Sequence, residues 1–202
     1  MSPPPKVGST PQAPLADLSD EALMMHVRTG REAAFELLVD RHQDALHAFL
    51  LRLSGSRDDA LEVAQEALLT LWRKADRFDH TRGKLRTWLF QLARNALIDR
   101  QRRQQPGTVQ TDPSENAAVS EIAAASEMAH REGRATSDRD PLDTLKALLG
   151  ALPERQREAL ALCYLQGFSQ RDCAAIMGIS VTALESLLAR GRATLKQGLG
   201  ER

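Results

Sequence analysis

Apolar residues recur every three or four positions along most of this chain, and no stretch alternates apolar and polar residues as a half-buried strand would. After Gly55 the stripe comprises Ala60, Val63, Ala64, Ala67, Leu68, Leu71 and Trp72. Similar patterns predict a helix opened by Leu18-Ser19-Asp20 and closed by Gly30, a helix from about Ala34 to Leu53, and a helix from Leu85 to about Arg103. The pattern predicts an all-α protein whose first four helices form a bundle.

The apolar stripe stops between Gln104 and Asp140, where Pro, Gly, Thr, Ser and Ala are mixed with scattered charge. This stretch is too long for an ordinary loop inside one domain and predicts a flexible linker. The chain is therefore predicted to contain two small helical domains. In order, it comprises a disordered N-terminal segment 1–17, a first domain 18–103, a linker 104–140 and a second domain 141–202.

The second domain ends in a helix-turn-helix pattern. Ser169 and Asp172 form a capping box that opens a short helix, Gly178 supplies the turn, and Ser180 caps the following helix. Such a unit places its second helix in the major groove of DNA. The same local pattern also occurs in helical hairpins that touch no DNA, so by itself it is unspecific.

Charge is balanced overall, with 27 basic and 27 acidic residues, which argues against a protein that finds nucleic acid by bulk electrostatics. Its distribution is uneven. The helix after Leu85 and the loop before it are basic around Trp88, whereas the preceding helix is acidic at Asp58, Asp59, Glu62 and Glu66. A basic run is usually a solvated helix face. A basic, aromatic-bearing helix linked flexibly to a helix-turn-helix nevertheless favours two DNA contacts, one with duplex and one with opened strand.

The sequence contains few features of an enzyme, a metal-binding protein or a membrane protein. The five histidines show no metal-ligand spacing, and neither a Gly-rich phosphate loop nor a nucleophile motif is recognisable, so we expect no enzyme, catalytic residue, metal or cofactor. No apolar run approaches a membrane span and the Pro-rich start is unlike a signal peptide, which predicts a cytoplasmic protein with no membrane insertion. Cys163 and Cys173 are interpreted as reduced core thiols, and a redox pair is left open.

The chain resembles the extracytoplasmic-function (ECF) sigma factors, the small two-domain members of the bacterial primary sigma factor family. The resemblance rests on many short segments in order. They include Ala34-Phe35-Glu36-Leu37-Leu38, Val63-Ala64-Gln65-Glu66-Ala67-Leu68, Arg77-Phe78-Asp79, Thr87-Trp88-Leu89, Ala93-Arg94-Asn95, Leu152-Pro153-Glu154-Arg155 and Gly167-Phe168-Ser169. Each segment is weak, but their order and spacing across two domains are specific.

The resemblance implies an alternative sigma factor that binds core RNA polymerase, through its beta and beta-prime subunits, and directs initiation at promoter DNA. The expected polymerase-binding residues are Asp58, Glu62, Gln65, Glu66, Leu68 and Trp72. Those expected at the minus-ten element, where a flipped base is captured, are Asp79, His80, Arg82, Lys84, Arg86, Trp88, Arg94, Asn95, Arg100 and Arg103. Those expected at the minus-thirty-five element are Arg171, Ser180, Thr182, Ala183, Glu185, Ser186, Arg190, Arg192 and Lys196.

The recognition helix departs from the family pattern, in which many members have a basic residue, Ser and Arg where this chain has Glu185, Ser186 and Leu187. A carboxylate in the groove can accept a hydrogen bond from cytosine N4, so Glu185 is expected to discriminate between bases. Leu187 either packs inside the domain or helps an anti-sigma factor, soluble or membrane-bound, to grip it. The rival to a sigma factor is a sigma-like decoy that binds an anti-sigma factor without initiating transcription.

Overall fold

The computed structural model describes residues 14–104 and 147–198, and the regular elements within these ranges are all helical. The first range contains helices α1 (Asp20–Arg28), α2 (Glu32–Ser54), α3 (Arg57–Arg73) and α4 (Leu85–Gln104), with 3-10 turns at Leu15–Asp17 and Ala75–Arg77. The second contains helical residues 147–151, α5 (Glu154–Leu160), a π-helical turn (Ala161–Leu165), α6 (Gln170–Met177) and α7 (Val181–Gly198). The predicted all-α fold is confirmed.

The helix ends follow the capping signals in the sequence. The hydroxyls of Ser56 and Ser169 accept the backbone N–H groups of Asp59 and Asp172, at 3.2 and 3.1 Å, and so cap α3 and α6. Ser180 caps α7 in the same way through the N–H of Ala183. The starts of α3, α6 and α7 are therefore set by local hydrogen bonds.

Glycines end two helices where the backbone turns into the left-handed region. Gly55 ends α2 with a φ of 68°, and Gly178 ends α6 with a φ of 65°. Residues with a Cβ are strained in this conformation. Gly178 thereby makes the sharp turn that separates the two helices of the helix-turn-helix.

The core of the first domain lies between α1, α2, α3 and α4. Phe49 of α2 and Phe90 of α4 are fully buried, and their ring centroids are 5.2 Å apart. The apolar stripe of α3 is buried as the periodicity predicts. Arg41 on α2 holds the residues before α1 in place, because its guanidinium donates hydrogen bonds to the carbonyls of Ala16 and Leu18. The end of the predicted disordered segment is thus held against α2.

The second domain packs α5 against α7 at very short range. A Cβ on Gly191, a buried residue in α7, would lie 2.9 Å from Cδ1 of Leu160. The absence of a side chain therefore allows the two helices to approach closely. α6 packs on α7 through Ile176 and Leu184, both of which are buried.

The two domains are in contact, so that their buried residues form one continuous cluster. Phe168, which precedes α6, packs edge to face against Phe90 of α4 with ring centroids 4.9 Å apart. The Gln166 side chain donates to the carbonyl of Ala45 in α2 at 3.2 Å. The predicted linker, apart from Gln104, and the first residues of the predicted second domain lie outside the described residues.

Candidate nucleic-acid and partner interfaces

One face of α3 is acidic and exposed. The side chains of Asp58, Glu62, Gln65 and Glu66 all reach solvent, as a partner-binding face requires. Leu68 differs from the expectation for this surface, because it is only 8% exposed and packs in the domain core. Trp72 is half-buried, and its ring centroid lies 5.0 Å from that of Phe35. Only part of the indole therefore remains accessible to a partner.

Two exposed leucines on α3 were missed in the sequence. Leu61 and Leu69 are 52% and 49% exposed, and each lies one helical turn from Gln65. Both fall outside the buried stripe of α3, and this break in the periodicity is the signal that would have found them. The exposed face of α3 is thus apolar along its centre as well as acidic at its edge.

The loop before α4 presents the expected residues Asp79, His80, Arg82 and Lys84 to solvent. Asp79 shapes this loop, because its Oδ1 accepts hydrogen bonds from the backbone N–H and the hydroxyl of Thr81, at 2.9 and 2.6 Å. These hydrogen bonds lower the pKa of the Asp79 carboxyl below its ordinary value and favour the ionised form. The loop is therefore an ordered turn with mixed charge.

The loop is anchored by an aromatic pair. Phe78 is 8% exposed, and its ring centroid lies 5.5 Å from that of Trp88 on α4. Trp88 itself is half-buried. One face of the Trp88 indole is thus engaged by the protein, and the remaining exposed part is what can stack on a base.

The residues expected at the minus-ten element point in different directions around α4. Arg86 and Arg94 are eight residues apart and lie on one face with Phe90 between them. Asn95 is exposed on a different face. Arg103 is exposed and donates to the carbonyl of Asp99 in its own helix, at 3.1 Å. The structure therefore does not bring this set together on a single surface.

The face of Arg86 and Arg94 is covered by the second domain. Arg94 Nε donates to Oε1 of Glu158 on α5 at 2.5 Å, and Glu158 is 4% exposed. Arg86 donates to the carbonyl of Gln166 at 2.7 Å and lies 4.3 Å from the ring centroid of Phe168. Both guanidinium groups are thus already occupied in this conformation.

Burial and charge act against each other in this contact. Burial raises the pKa of the Glu158 carboxyl, and the positive charge of Arg94 and its hydrogen bond offset part of that increase. Burial likewise lowers the pKa of Arg86, although the guanidinium of arginine stays protonated in proteins. The interface therefore holds two desolvated cations whose charges need partners.

Arg100 is held by the neighbouring helix. Its Nε donates to Asp59 and its Nη1 pairs with Glu62, both at 2.7 Å. These hydrogen bonds raise the pKa of Arg100, and the one to Asp59 is the main cause that lowers the pKa of that carboxyl. Arg100 thus joins α4 to the acidic face of α3 and is directed away from Asn95.

The recognition helix α7 presents an open surface. The exposed residues from the expected set are Ser180, Thr182, Glu185, Ser186, Arg190, Arg192 and Lys196, together with Arg171 on α6, whereas Ala183 is half-buried. Ser186 turns its hydroxyl back to the carbonyl of Thr182 at 3.1 Å. Arg192 donates to the hydroxyl of Tyr164, which extends from the π-helical turn. Val181, 41% exposed, also lies at the start of this surface and was missed.

Comparisons with known proteins agree with these two helical units. Residues 38–106 match the model of Sigma-70 region 2, and residues 142–195 match that of Sigma-70, region 4. The ECF RNA polymerase sigma factor SigM of Mycobacterium tuberculosis is 30% identical over 98% of this chain and 94% of its own length. The chain belongs to the ECF sigma factors.

Two further proteins are similar to this sigma factor. The ECF RNA polymerase sigma factor SigE of Mycolicibacterium smegmatis is 27% identical over 86% of the present chain, which spans 65% of that relative. The sigma factor RpoE of Bartonella quintana, in the structure of its complex with the anti-sigma factor NepR, is 26% identical in sequence and superimposes with a TM-score of 0.61. The match covers 82% of this chain and 96% of the RpoE chain. These findings support the sigma factor over the decoy.

Leu187 of this sigma factor is half-buried against the domain core. Of the two interpretations of Leu187, packing inside the domain is therefore the one that the structure favours. Its position on α7, one residue before the buried Leu188, explains why the apolar face is wide. The wide apolar face of the recognition helix thus packs against the core of its own domain.

The two cysteines of the sigma factor are adjacent. The Sγ atoms of Cys163 and Cys173 are 2.6 Å apart, and both thiols are free. Burial raises the pKa of each thiol, which disfavours the reactive thiolate. The proximity that a redox pair needs is therefore present, while burial favours the protonated form of both thiols.

Residues 14–104 and 147–198 contain neither a candidate metal site nor a single helix that could cross a membrane. No cluster of three or more His, Cys, Asp or Glu side chains there could hold a metal ion. No single helix in these ranges is long and apolar enough to cross a membrane. α6 and α7 reach the required length and composition only as a pair, across a bend of 100°.

Proposed function

We propose that this sigma factor binds core RNA polymerase through α3 and recognises promoters with two separate helices, α4 at the minus-ten element and α7 at the minus-thirty-five element. The observation that carries this proposal is the exposed face of α7, presented by a capped helix-turn-helix in a domain that also matches sigma region 4. The protein acts as a specificity subunit in the cytoplasm and is not itself an enzyme.

The polymerase-binding surface is the α3 face made of Leu61, Gln65 and Leu69 with the acidic residues Glu62 and Glu66. Exposed apolar side chains beside charged ones suit a protein interface, in which a desolvated apolar centre is surrounded by a polar rim. The acidic rim favours a basic partner surface on the polymerase. Leu68 and Trp72 support this face from below.

DNA recognition is divided between the domains. At the minus-ten element the loop from Asp79 to Lys84 receives a flipped base and the exposed part of the half-buried Trp88 stacks beside it, while Asn95 and Arg103 supply exposed contacts further along α4. At the minus-thirty-five element Thr182, Glu185 and Ser186 face the base edges, and the basic residues Arg171, Arg190, Arg192 and Lys196 contact phosphates.

Inhibition by an anti-sigma factor is the regulation that the comparisons support. RpoE of Bartonella quintana, a structural neighbour of this chain, is bound to the anti-sigma factor NepR. We propose that a protein of this class also sequesters the present sigma factor, by competing with polymerase for its exposed surfaces.

The test is transcription in vitro with purified core polymerase and a pooled promoter library. The full-length protein should direct initiation from a subset of promoters that share two upstream elements. Leu69→Glu should weaken core binding roughly tenfold, by about 1–2 kcal/mol, because it places a charge in the apolar centre of the interface. Leu51→Glu, at an exposed leucine on α2, is the matched control and should bind normally. A folded protein that neither binds core polymerase nor yields transcripts would refute the proposal.

A further inference from the structure

The second domain contains two thiols in contact with each other. Cys163 lies in the π-helical turn after α5 and Cys173 lies on α6, and their Sγ atoms are 2.6 Å apart. We propose that they form a peroxide-responsive pair, whose disulfide protects the second domain from irreversible oxidation and leaves its DNA-reading surface intact. The inference goes beyond the proposed function and depends on it only for the effect on transcription.

The local backbone brings the two thiols together. The backbone N–H of Gln166 closes the π-helical turn by donating to the carbonyl of Ala161 at 2.9 Å. Gly167 then reverses the chain with a φ of 68°, in the left-handed region that favours glycine. The chain therefore returns alongside the turn as α6, and Cys173 lies opposite Cys163, from which it is separated by ten positions.

The two thiols differ in exposure, and this difference assigns their roles. Cys163 is half-buried, whereas Cys173 is 0% exposed. A small oxidant therefore reaches the sulfur of Cys163 first. The Cys163 thiol donates toward Cys173 Sγ, and the Cys173 thiol donates toward the carbonyl of Phe168 at 3.7 Å. The sulfur of Cys173 thus already contacts the atom that it has to attack.

Hydrogen peroxide is the oxidant, and the reaction has two steps. The Cys163 thiolate attacks one peroxide oxygen, the O–O bond breaks, and Cys163 becomes a sulfenic acid while the second oxygen leaves as hydroxide and takes up a proton. The sulfur of Cys173 then attacks that of Cys163, the S–O bond breaks, and the hydroxyl leaves with the Cys173 proton as water. The two thiols thereby lose two electrons, and one peroxide molecule is reduced to two of water.

Burial makes the first step slow, and contact makes the second step fast. Burial raises the pKa of the Cys163 thiol, so little thiolate is present and only a high peroxide concentration oxidises it. The second step needs no encounter, because the sulfurs are held together within one molecule. The sulfenic acid is therefore consumed before a second peroxide converts it to a sulfinic acid, which thiols do not reduce.

The disulfide leaves the DNA-reading surface in place. The two sulfurs are already in contact, so movement of the side chains is enough to close the bond. The bond joins the π-helical turn to α6 and does not involve the exposed Thr182, Glu185 and Arg190 of α7. A sulfinate on Cys163, by contrast, places a charge against the apolar core.

Oxidation of the free, full-length protein tests the site without polymerase. Hydrogen peroxide is added and then removed with catalase, and the remaining thiols are alkylated after unfolding. Intact mass and peptide mapping should show the loss of two hydrogens and a bond between Cys163 and Cys173 that dithiothreitol reverses. Bonds between two molecules, a sulfinic acid on Cys163, or two thiols that stay alkylatable after prolonged treatment would overturn the inference.

Single substitutions test the two roles. Cys173→Ala removes the resolving thiol, so peroxide should add two oxygens to Cys163 that dithiothreitol does not remove. Cys163→Ala is the matched control, in which the buried Cys173 should stay reduced. If Cys173→Ala does not fold, Cys173→Ser replaces it, because its hydroxyl can donate to the same Phe168 carbonyl. Equal sulfinic acid formation in the wild type and Cys173→Ala would refute the role of Cys173, and equally fast oxidation of either single thiol would refute the assigned order.

Transcription tests the consequence. After removal of peroxide, the oxidised wild-type protein should initiate with core polymerase at the same level as the reduced protein. Peroxide-treated Cys173→Ala should initiate roughly fivefold less or worse, because a charge against the core destabilises the second domain. A loss in the wild type that dithiothreitol restores would overturn the protective role. If the reduced wild-type protein gives no transcripts, the proposed function fails, whereas the disulfide is decided by the mass measurement alone.

Discussion

The two DNA-recognition helices of this sigma factor differ in what surrounds them. α7 displays Thr182, Glu185 and Arg190 to solvent, whereas α4 has Arg86 and Arg94 engaged by the second domain. Both helices carry arginines that the sequence associates with promoter DNA. The difference shows that an arginine expected at DNA can also be part of the stability of the free protein.

The largest contrast is expected between two arginine substitutions. Arg94→Ala leaves Glu158 buried without its cation and should lower the free energy of unfolding by about 3 kcal/mol. Arg190→Ala removes an exposed side chain and should change it by less than about 0.5 kcal/mol. Urea denaturation followed by circular dichroism measures both. Equal effects would show that the two helices do not differ in the way proposed.

A second prediction concerns what keeps the α7 surface in place. Gly191→Ala puts a Cβ 2.9 Å from Leu160 Cδ1, so it should destabilise the second domain by about 1–3 kcal/mol through overpacking. Gly83→Ala is the control, because a Cβ there meets nothing within 4 Å. Thermal unfolding should separate the two variants. A Gly191→Ala protein as stable as the wild type would mean that α5 and α7 do not pack this closely.

The serine caps of α6 and α7 allow a finer comparison. Ser169→Ala and Ser180→Ala should each destabilise the second domain by about 1 kcal/mol. Only Ser169→Ala should also weaken the domain contact, because the Ser169 hydroxyl donates at 2.6 Å to Asp172, which accepts from Thr87. The width of the distance distribution between spin labels at Glu36→Cys on α2 and Ala193→Cys on α7 reports that contact. A similar loss of contact in both variants would argue against a specific role of Asp172.

The smallest effect is expected at Glu185 on the open face. Glu185→Ala should relax the preference for one base pair of the minus-thirty-five element by about 0.5–1 kcal/mol, the value of one hydrogen bond. Stability should be unchanged, since the side chain is exposed. A promoter-library experiment measures the preference at each position. An unaltered preference at all of them would remove Glu185 from the residues that read DNA.

The local features of this fold were predictable from the sequence, because they depend on neighbouring residues. The caps at Ser56, Ser169 and Ser180 and the helix end at Gly55 follow from hydrogen bonds and backbone geometry within one turn. The buried stripe of α3 follows from its periodicity. Family resemblance supplied the expected site residues.

The contacts between distant elements were not predictable in the same way. Glu158 and Arg94 are far apart in the sequence, and nothing in their own segments indicates that they pair. Arg100 resembles its neighbour Arg103, yet the helical rotation between them turns Arg100 toward Asp59 and Glu62. Leu68 was placed on the partner surface because its segment resembles the family, whereas its position in the stripe buries it.

The most direct test of the account is the distance between the domains in solution. Spin labels at Glu36→Cys on α2 and Ala193→Cys on α7, in protein with Cys163→Ala and Cys173→Ala, report this distance by pulsed electron paramagnetic resonance. We predict one narrow distribution in the free protein and a longer distance when core polymerase and promoter DNA are bound. A broad distribution in the free protein would contradict the contact between the domains, and the same distance in both states would contradict the recognition of two separate promoter elements.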